Sequence, residues 1–227
     1  MVIFFDIDDT LVDSELAHKK AIRTVSSEFS LINKISEHID LEWLSITDKY
    51  LKLYFDNQIT LCQQRHLRIM EFWNSNGQQI TEEQARIIYQ RYHLIFLHSC
   101  HCFIDTISTL GKLQDYKLGI ISNGTYSDQI FKLEHNHLAP FFHKIIVSEK
   151  VGFSKPDKEI FRIAARQINL PLSDCIYIGN SYDLDYLASL NSGMKAIWLD
   201  RKSTQNDSQS ETIHSLIQLV NHPYLNH

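Results

Sequence analysis

Glycine and proline are distributed so unevenly in this chain that they constrain its fold more than any other feature. Neither occurs in residues 1–76. Gly77 and Gly111 follow, and the other five glycines and all four prolines lie from Gly119 onward. Helix interiors exclude both residue types, whereas the turns between strands and helices need them. The chain therefore reads as a helical stretch followed by an α/β stretch, with one short element before both. That element is Val2–Phe5, an apolar run closed by Asp6, as expected of a buried strand.

The apolar periodicity fills in this outline. Ala17, Ala21, Ile22, Val25 and Phe29 recur at helical spacing, as do Leu41, Leu44, Leu51 and Tyr54, then Leu67, Met70 and Phe72. Thr81-Glu-Glu-Gln84 has the form of a helix start, and Ile87, Ile88, Tyr92 and Ile95 continue its apolar face. About four helices follow from this, enough for a small bundle. Later, helices over 104–114, 126–138, 157–169, 183–191 and 211–220 alternate with strands over 118–122, 144–148, 175–179 and 196–199. Such alternation implies right-handed crossovers and a parallel sheet covered on both faces, a doubly wound α/β core. The expected organisation is a core of residues 1–14 plus 98–227, with residues 15–97 inserted as an α-helical bundle. Ser203–Thr212 reads as a polar surface loop.

Composition excludes several classes of function. The chain has 227 residues, 44% of them hydrophobic, and a net charge of −5 from 22 basic and 27 acidic side chains. That balance argues against a mainly electrostatic nucleic-acid binder. No apolar run approaches the ~20 residues of a membrane span, and Met1–Asp6 lacks the basic start of a secretory signal. A cytoplasmic protein with no nucleic-acid or membrane partner is expected. The four cysteines form no CxxC pair, and the tract His98–Cys102 lacks the paired spacing of a zinc site. Reduced cysteines are expected.

In an open α/β sheet the reacting groups belong at the C-terminal ends of the strands. Four clusters stand there: Asp6-Ile-Asp8-Asp9-Thr10, Ser122-Asn123-Gly124, Lys155-Pro156-Asp157, and Gly179-Asn180-Ser-Tyr-Asp183-Leu-Asp185. Each alone reads as a cap or a turn. Together they place carboxylates, a hydroxyl and a lysine around one sheet edge. Carboxylates from two loops make an oxygen-rich site suited to Mg²⁺. A lysine and a serine suit a phosphoryl group, and a carboxylate can act as nucleophile through an aspartyl phosphate.

The order and spacing of these clusters resemble the four motifs of the haloacid dehalogenase-like hydrolase superfamily, and a helical insert after the first motif resembles that family's cap. The resemblance covers the whole chain and implies a Rossmann-like core. It implies Asp6 as nucleophile and metal ligand. It implies Asp8 as general acid and then base, with its backbone carbonyl on the metal. Ser122 and Lys155 would hold the phosphoryl oxygens, and Asn180 and Asp185 would complete or support a Mg²⁺ site. Thr10 would order its loop; Thr10, Asn123, Gly124 and, from the bundle, Arg65 are the further candidates for the substrate side. Arg65 and Arg68, three apart on a helix, more often form a solvated face. One departure stands out: the fourth motif usually begins Gly-Asp, and here it is Gly179-Asn180.

The function expected is hydrolysis of a small phosphate monoester, a nucleoside monophosphate or a sugar or acid phosphate. Two alternatives remain: a metal-independent 2-haloacid dehalogenase, and a non-catalytic binding protein of the same fold. The dehalogenases that the chain resembles lack the second aspartate, so Asp8 argues against the first alternative.

Overall fold

The computed structural model describes residues 1–29, 38–56, 58–203 and 211–225. Most of the predicted polar loop, residues 204–210, lies outside the described residues. The chain divides into two compact units, Met1–Asp13 with His101–His227, and Ser14–Cys100.

The first unit is built on a parallel sheet. Its strands are β1 (Val2–Phe5), β2 (Lys117–Ser122), β3 (Lys144–Val147), β4 (Cys175–Gly179), β5 (Lys195–Leu199) and β6 (Thr212–Ile213). Their order is β3-β2-β1-β4-β5-β6, every neighbouring pair parallel. This is the doubly wound α/β core, with β1 at its centre. All four β1 side chains are buried, so Val2 and Phe4 serve one face of the sheet and Ile3 and Phe5 the other. Val2, Phe4, Ile121 and Tyr177 share a core with Ile160 and Phe161 of the amphipathic helix α8 (Lys158–Gln167). Gly119 is required here: a Cβ on it would lie 2.5 Å from the Phe4 ring.

The second unit consists, in its described part, of α1 (Ser14–Glu28), α2 (His38–Phe55), α3 (Leu61–Ser75) and α4 (Glu82–Ser99). Thr81 and Gln84 form the expected capping box, and Thr60 and Gln63 form another at the start of α3. Its core is aromatic: Trp43 meets Phe72 and Tyr92 edge-on, at ring separations of 5.4 and 4.8 Å.

The other helices are α5 (Thr106–Lys112), α6 (Tyr126–His135), α7 (Ser148–Val151), α8 (Lys158–Gln167) and α9 (Ala188–Ser192). Two sequence expectations need correcting. The final helix over 211–220 is instead β6 followed by a 3₁₀ segment, Leu216–Asn221. β-branched Thr212 and Ile213 pair with Trp198 and Leu199, and Ser215 and Gln218 cap the turn that follows. The helix over 183–191 begins as π-helical turns, Tyr182–Leu187, before α9. No described helix is long and apolar enough to cross a membrane.

Candidate active site

The strand order reverses at β1, and that switch is where a doubly wound sheet opens a crevice. Past Phe5 the chain extends the β1–β4 ladder by one bond, from the Asp6 N–H to the Ile178 carbonyl at 2.9 Å. It then wraps round the Ile7 carbonyl, which accepts from Leu11 and Val12 at 2.9 and 3.1 Å. Asp9 supplies the bend with φ +54°, a left-handed conformation that Asp tolerates better than most residues. The turn leaves the carboxylates of Asp6 and Asp8 in different surroundings.

Asp6 is only 6% exposed, and the Lys155 ammonium sits 2.8 Å from its Oδ1. Lys155, from the loop after β3 and α7, also binds Asp185 Oδ1 at 2.6 Å and donates to the Tyr177 hydroxyl at 2.9 Å. That hydroxyl donates to the Ile121 carbonyl at 2.8 Å, which ties β4 to β2 beneath the site. Burial pushes the Asp6 carboxyl up to about 6; Lys155 opposes this, while Asp185 and Asp8 add to it. Burial opposes the Lys155 charge, but Asp185 and Asp6 outweigh it and hold the ammonium above its ordinary range. Tyr177 is pushed far up by burial and the same two acids, so it stays a neutral hydroxyl.

Asp8 is half-buried and gripped at both oxygens. Lys132 binds Oδ1 at 2.6 Å and Gln129 donates to Oδ2 at 2.9 Å. Both lie on α6, one turn apart, and both are buried. Gln129 Nε2 also bonds the Asn123 carbonyl at 2.9 Å, which fastens α6 to the Ser122 loop. Sequence reading missed this pair; its only signal was two polar residues three apart on the apolar side of α6.

The other predicted residues take their places around these two. Ser122 is buried at the end of β2. Asn123 clamps the main chain of Lys155: its Oδ1 accepts from the Lys155 N–H at 2.8 Å and its Nδ2 donates to the Lys155 carbonyl at 3.0 Å. The Gly124 N–H, at φ +124°, donates to Ser148 Oγ at 3.0 Å. Asn123 and Gly124 are thus both engaged within the protein. The Thr10 side chain is turned into the protein. It is fully buried, donates to Asn180 Oδ1 and accepts from the Asn180 N–H, both at 3.1 Å. Its hydroxyl locks the first loop to the fourth. Arg201, which sequence reading also missed, braces the first loop by donating to the Thr10 carbonyl at 2.9 Å while paired with Asp105.

In the fourth loop, Asp185 is 1% exposed, with Oδ1 on Lys155 and Oδ2 accepting from the Ser181 N–H at 2.9 Å. A Cβ on Gly179 would lie 2.3 Å from the Asp185 carboxyl carbon, so only glycine admits that side chain. Arg65 lies on α3 in the helical unit, stacked over the Tyr89 ring at 5.4 Å. Arg68 corrects the solvated-face expectation: it is 5% exposed.

The donor set suits a hard divalent cation in its chemistry. Asp185 and Asp8 lie near enough to Asp6 to raise its carboxyl, the Asn180 amide oxygen on the neighbouring loop accepts from Thr10, and three acids face the two ammonium groups of Lys155 and Lys132. The upward push on Asp6 reflects, besides burial, the negative charge left over. Among the described residues no three His, Cys, Asp or Glu side chains converge as a ready-made metal cluster. Oxygen from Asn180 and from main-chain carbonyls would have to complete the set. The cysteines form no disulfide, and the His98–Cys102 tract forms no metal cluster within the described residues.

Residues 3–199 match the family described as haloacid dehalogenase-like hydrolase. The chain belongs to that family. It is a hydrolase, and two relatives with named activities resemble it along most of its length. A glyceraldehyde 3-phosphate phosphatase of Methanothermobacter thermautotrophicus is 31% identical over 89% of this chain and 87% of its own. The pyrimidine 5'-nucleotidase YjjG of Escherichia coli is 28% identical over 96% and 95%. Among solved structures, the hydrolase YfnB of Bacillus subtilis bound to magnesium superposes with a TM-score of 0.83 at 22% identity, covering 97% of this chain and 96% of that one. A 2-haloacid dehalogenase of Pseudomonas syringae pv. Tomato shares the fold with a TM-score of 0.65 at 23% identity, covering 97% and 96%.

Proposed function

We propose that this hydrolase is a metal-dependent phosphatase that cleaves a small phosphate monoester through an aspartyl phosphate on Asp6. The observation that carries the reading is the pair of carboxylates on one turn in opposite surroundings. Asp6 is buried on Lys155, while Asp8 is half-buried and held at both oxygens by α6. Displacing a halide needs one carboxylate nucleophile and no proton. Releasing an alkoxide from phosphorus needs a second group that supplies a proton. Asp8 is that second group, which favours the phosphatase over the dehalogenase.

In this reading an oxygen of Asp6 attacks phosphorus, the bond from phosphorus to the ester oxygen breaks, and the Asp8 proton passes to the departing oxygen to give an alcohol. Asp8 then takes a proton from water as that water's oxygen attacks the acyl phosphate. Inorganic phosphate leaves and the Asp6 carboxylate returns. Lys155 and the Ser122 hydroxyl hold phosphoryl oxygens, with Lys155 aimed by Asn123, Asp185 and Tyr177. Asp6, the Asp8 carbonyl and Asn180 would hold Mg²⁺, with Asp185 supporting the set through Lys155. When bound, the ion supplies positive charge against the phosphoryl oxygens. The sheet unit carries these reacting groups, and the helical unit is assigned the choice of substrate. The named relatives support triose phosphates and nucleoside monophosphates as the first substrates to test.

The test measures phosphate release across such esters with Mg²⁺, together with mass spectrometry of acid-quenched enzyme. The expected result is phosphate release, with the covalent phosphate on Asp6, and no turnover by Asp6→Asn. Chloride release from a 2-chloroacid without phosphate release from any ester would overturn the reading.

A further inference from the structure

The helical unit contains a buried cation with no counter-charge among the described residues. Arg68 on α3 lies among three rings: its guanidinium carbon is 5.2 Å from the Trp43 centroid, 5.3 Å from Tyr89 and 5.4 Å from Tyr92. Among the described residues its Nε has no hydrogen-bond partner and no carboxylate pairs with it. Other arginines of the unit are paired: Arg23 with Asp40, Arg86 with Glu83, Arg91 with Glu28. One turn before Arg68, on the same face of α3, Gln64 is 2% exposed and its Nε2 also lacks an acceptor. The cage does not meet these needs itself. The Tyr92 hydroxyl already accepts from Trp43 Nε1 at 3.0 Å and is in contact with His18 Nδ1.

Ring faces offset part of the cost of burying a guanidinium, but they accept no hydrogen bonds at its edge. A buried charge and a buried amide that both lack acceptors are unfavourable unless something else supplies them. Both unmet groups here are donors, so the site offers hydrogen bonds to an acceptor, and the guanidinium charge favours an anionic one. A nearby groove of about 610 Å³ between α3 and α4 holds cations as well. Acids stand beside its basic side chains, Glu83 on Arg86 and Glu82 near the His66 ring, so the groove is the weaker place for an anion.

We propose that Arg68 and Gln64 form an oxyanion-binding site in the helical unit, taking one carboxylate or phosphate group of a small molecule, with the rings of Trp43, Tyr89 and Tyr92 as its walls. Nothing in this site depends on the phosphatase reading. The group is carried either by a substrate as its second anionic group or by a separate small effector.

The experiment uses the full chain labelled with ¹⁵N and titrated with sodium succinate and with sodium sulfate, against sodium chloride at matched ionic strength. The Trp43 indole N–H and the Arg68 Nε–H report the site. The Trp198 indole, which donates to the Asn180 carbonyl at 2.9 Å, reports the sheet unit separately. The expected result is a saturable shift of the Trp43 and Arg68 signals, at least tenfold weaker in affinity in both Arg68→Met and Gln64→Leu, and largely restored in Arg68→Lys. No saturable shift, or equal binding in Arg68→Met with loss in Arg65→Met, would overturn the site. Gln64→Leu keeps the test open if Arg68→Met does not fold. A kinetic comparison then identifies the carrier. If Arg68→Met raises KM only for esters with a second anionic group, the substrate carries it. If no KM changes while succinate or sulfate binding is lost, a separate effector does.

Discussion

Asp6 shows how a buried carboxylate costs stability. Its carboxyl is pushed from 3.8 to about 6, chiefly by burial. An acid with a raised folded-state value binds its proton more tightly when folded, so stability falls as pH rises from 3.8 through about 6. Asp6→Asn removes that cost and leaves Lys155 with Asp185. In metal-free buffer at pH 7 the variant should gain up to about 2–3 kcal/mol, and the gain should vanish below the unfolded value. Denaturant unfolding at pH 3.5, 5 and 7 checks this; a destabilised variant at pH 7 would mean that Lys155 needs both acids. The α6 pair acts on Asp8 differently. If Lys132 and Gln129 aim it at a departing oxygen, Lys132→Met and Gln129→Leu should lower kcat by roughly 10–100-fold on alkyl phosphates and much less on p-nitrophenyl phosphate, whose leaving group needs little protonation. Equal losses on both esters would point to a packing defect instead.

At the scale of elements, the end of β4 contains the most crowded glycine of the chain. Gly179→Ala places a methyl 2.3 Å from the Asp185 carboxyl carbon, so Asp185 must move, and Lys155 loses its 2.6 Å partner. The expected outcome is loss of most activity together with a lower Tm. Gly111 in α5 is the contrast, because a Cβ there meets nothing within 4 Å. Gly111→Ala should leave activity unchanged and stabilise the fold by about 0.5–1 kcal/mol, the ordinary gain of alanine over glycine inside a helix. Thermal unfolding of the two variants in parallel separates a glycine that makes room from one that does not. The same logic explains why Thr10 and Asn180 act as one unit: two mutual hydrogen bonds join loops 170 residues apart in sequence.

At the scale of the whole molecule, the proposed metal should stabilise by binding, and unevenly. A ligand that binds only the folded state raises stability with its concentration. Mg²⁺ should therefore raise Tm and slow hydrogen exchange in residues 1–13 and 101–203 more than in 14–100, because the donors lie in the sheet unit. Asn180→Asp adds a carboxylate to that set and should tighten Mg²⁺ by calorimetry. An unchanged affinity would show that the Asn180 side chain does not touch the ion. Uniform protection across both units would count against a metal held by the sheet alone.

Much of this was legible from local chemistry. Five of the six strands, the glycine-free helical stretch, the Thr81 capping box and the four strand-end clusters depend on periodicity, turn chemistry and strand polarity, which neighbouring residues encode. β6 was missed because two residues carry no period, and pairing with β5 alone makes them a strand. In α2 the spacing of Leu41 suggested a core position, yet Leu41 is 66% exposed while Trp43 is fully buried, because the partner helices select which face turns inward. Proximity decided the rest. Lys132 and Gln129 meet Asp8 more than 120 residues away, and Arg201 reaches the Thr10 carbonyl from across the sheet. Arg68 read as a surface charge because spacing reports which residues share a helix face, and only packing against α2 and α4 determines whether that face meets water.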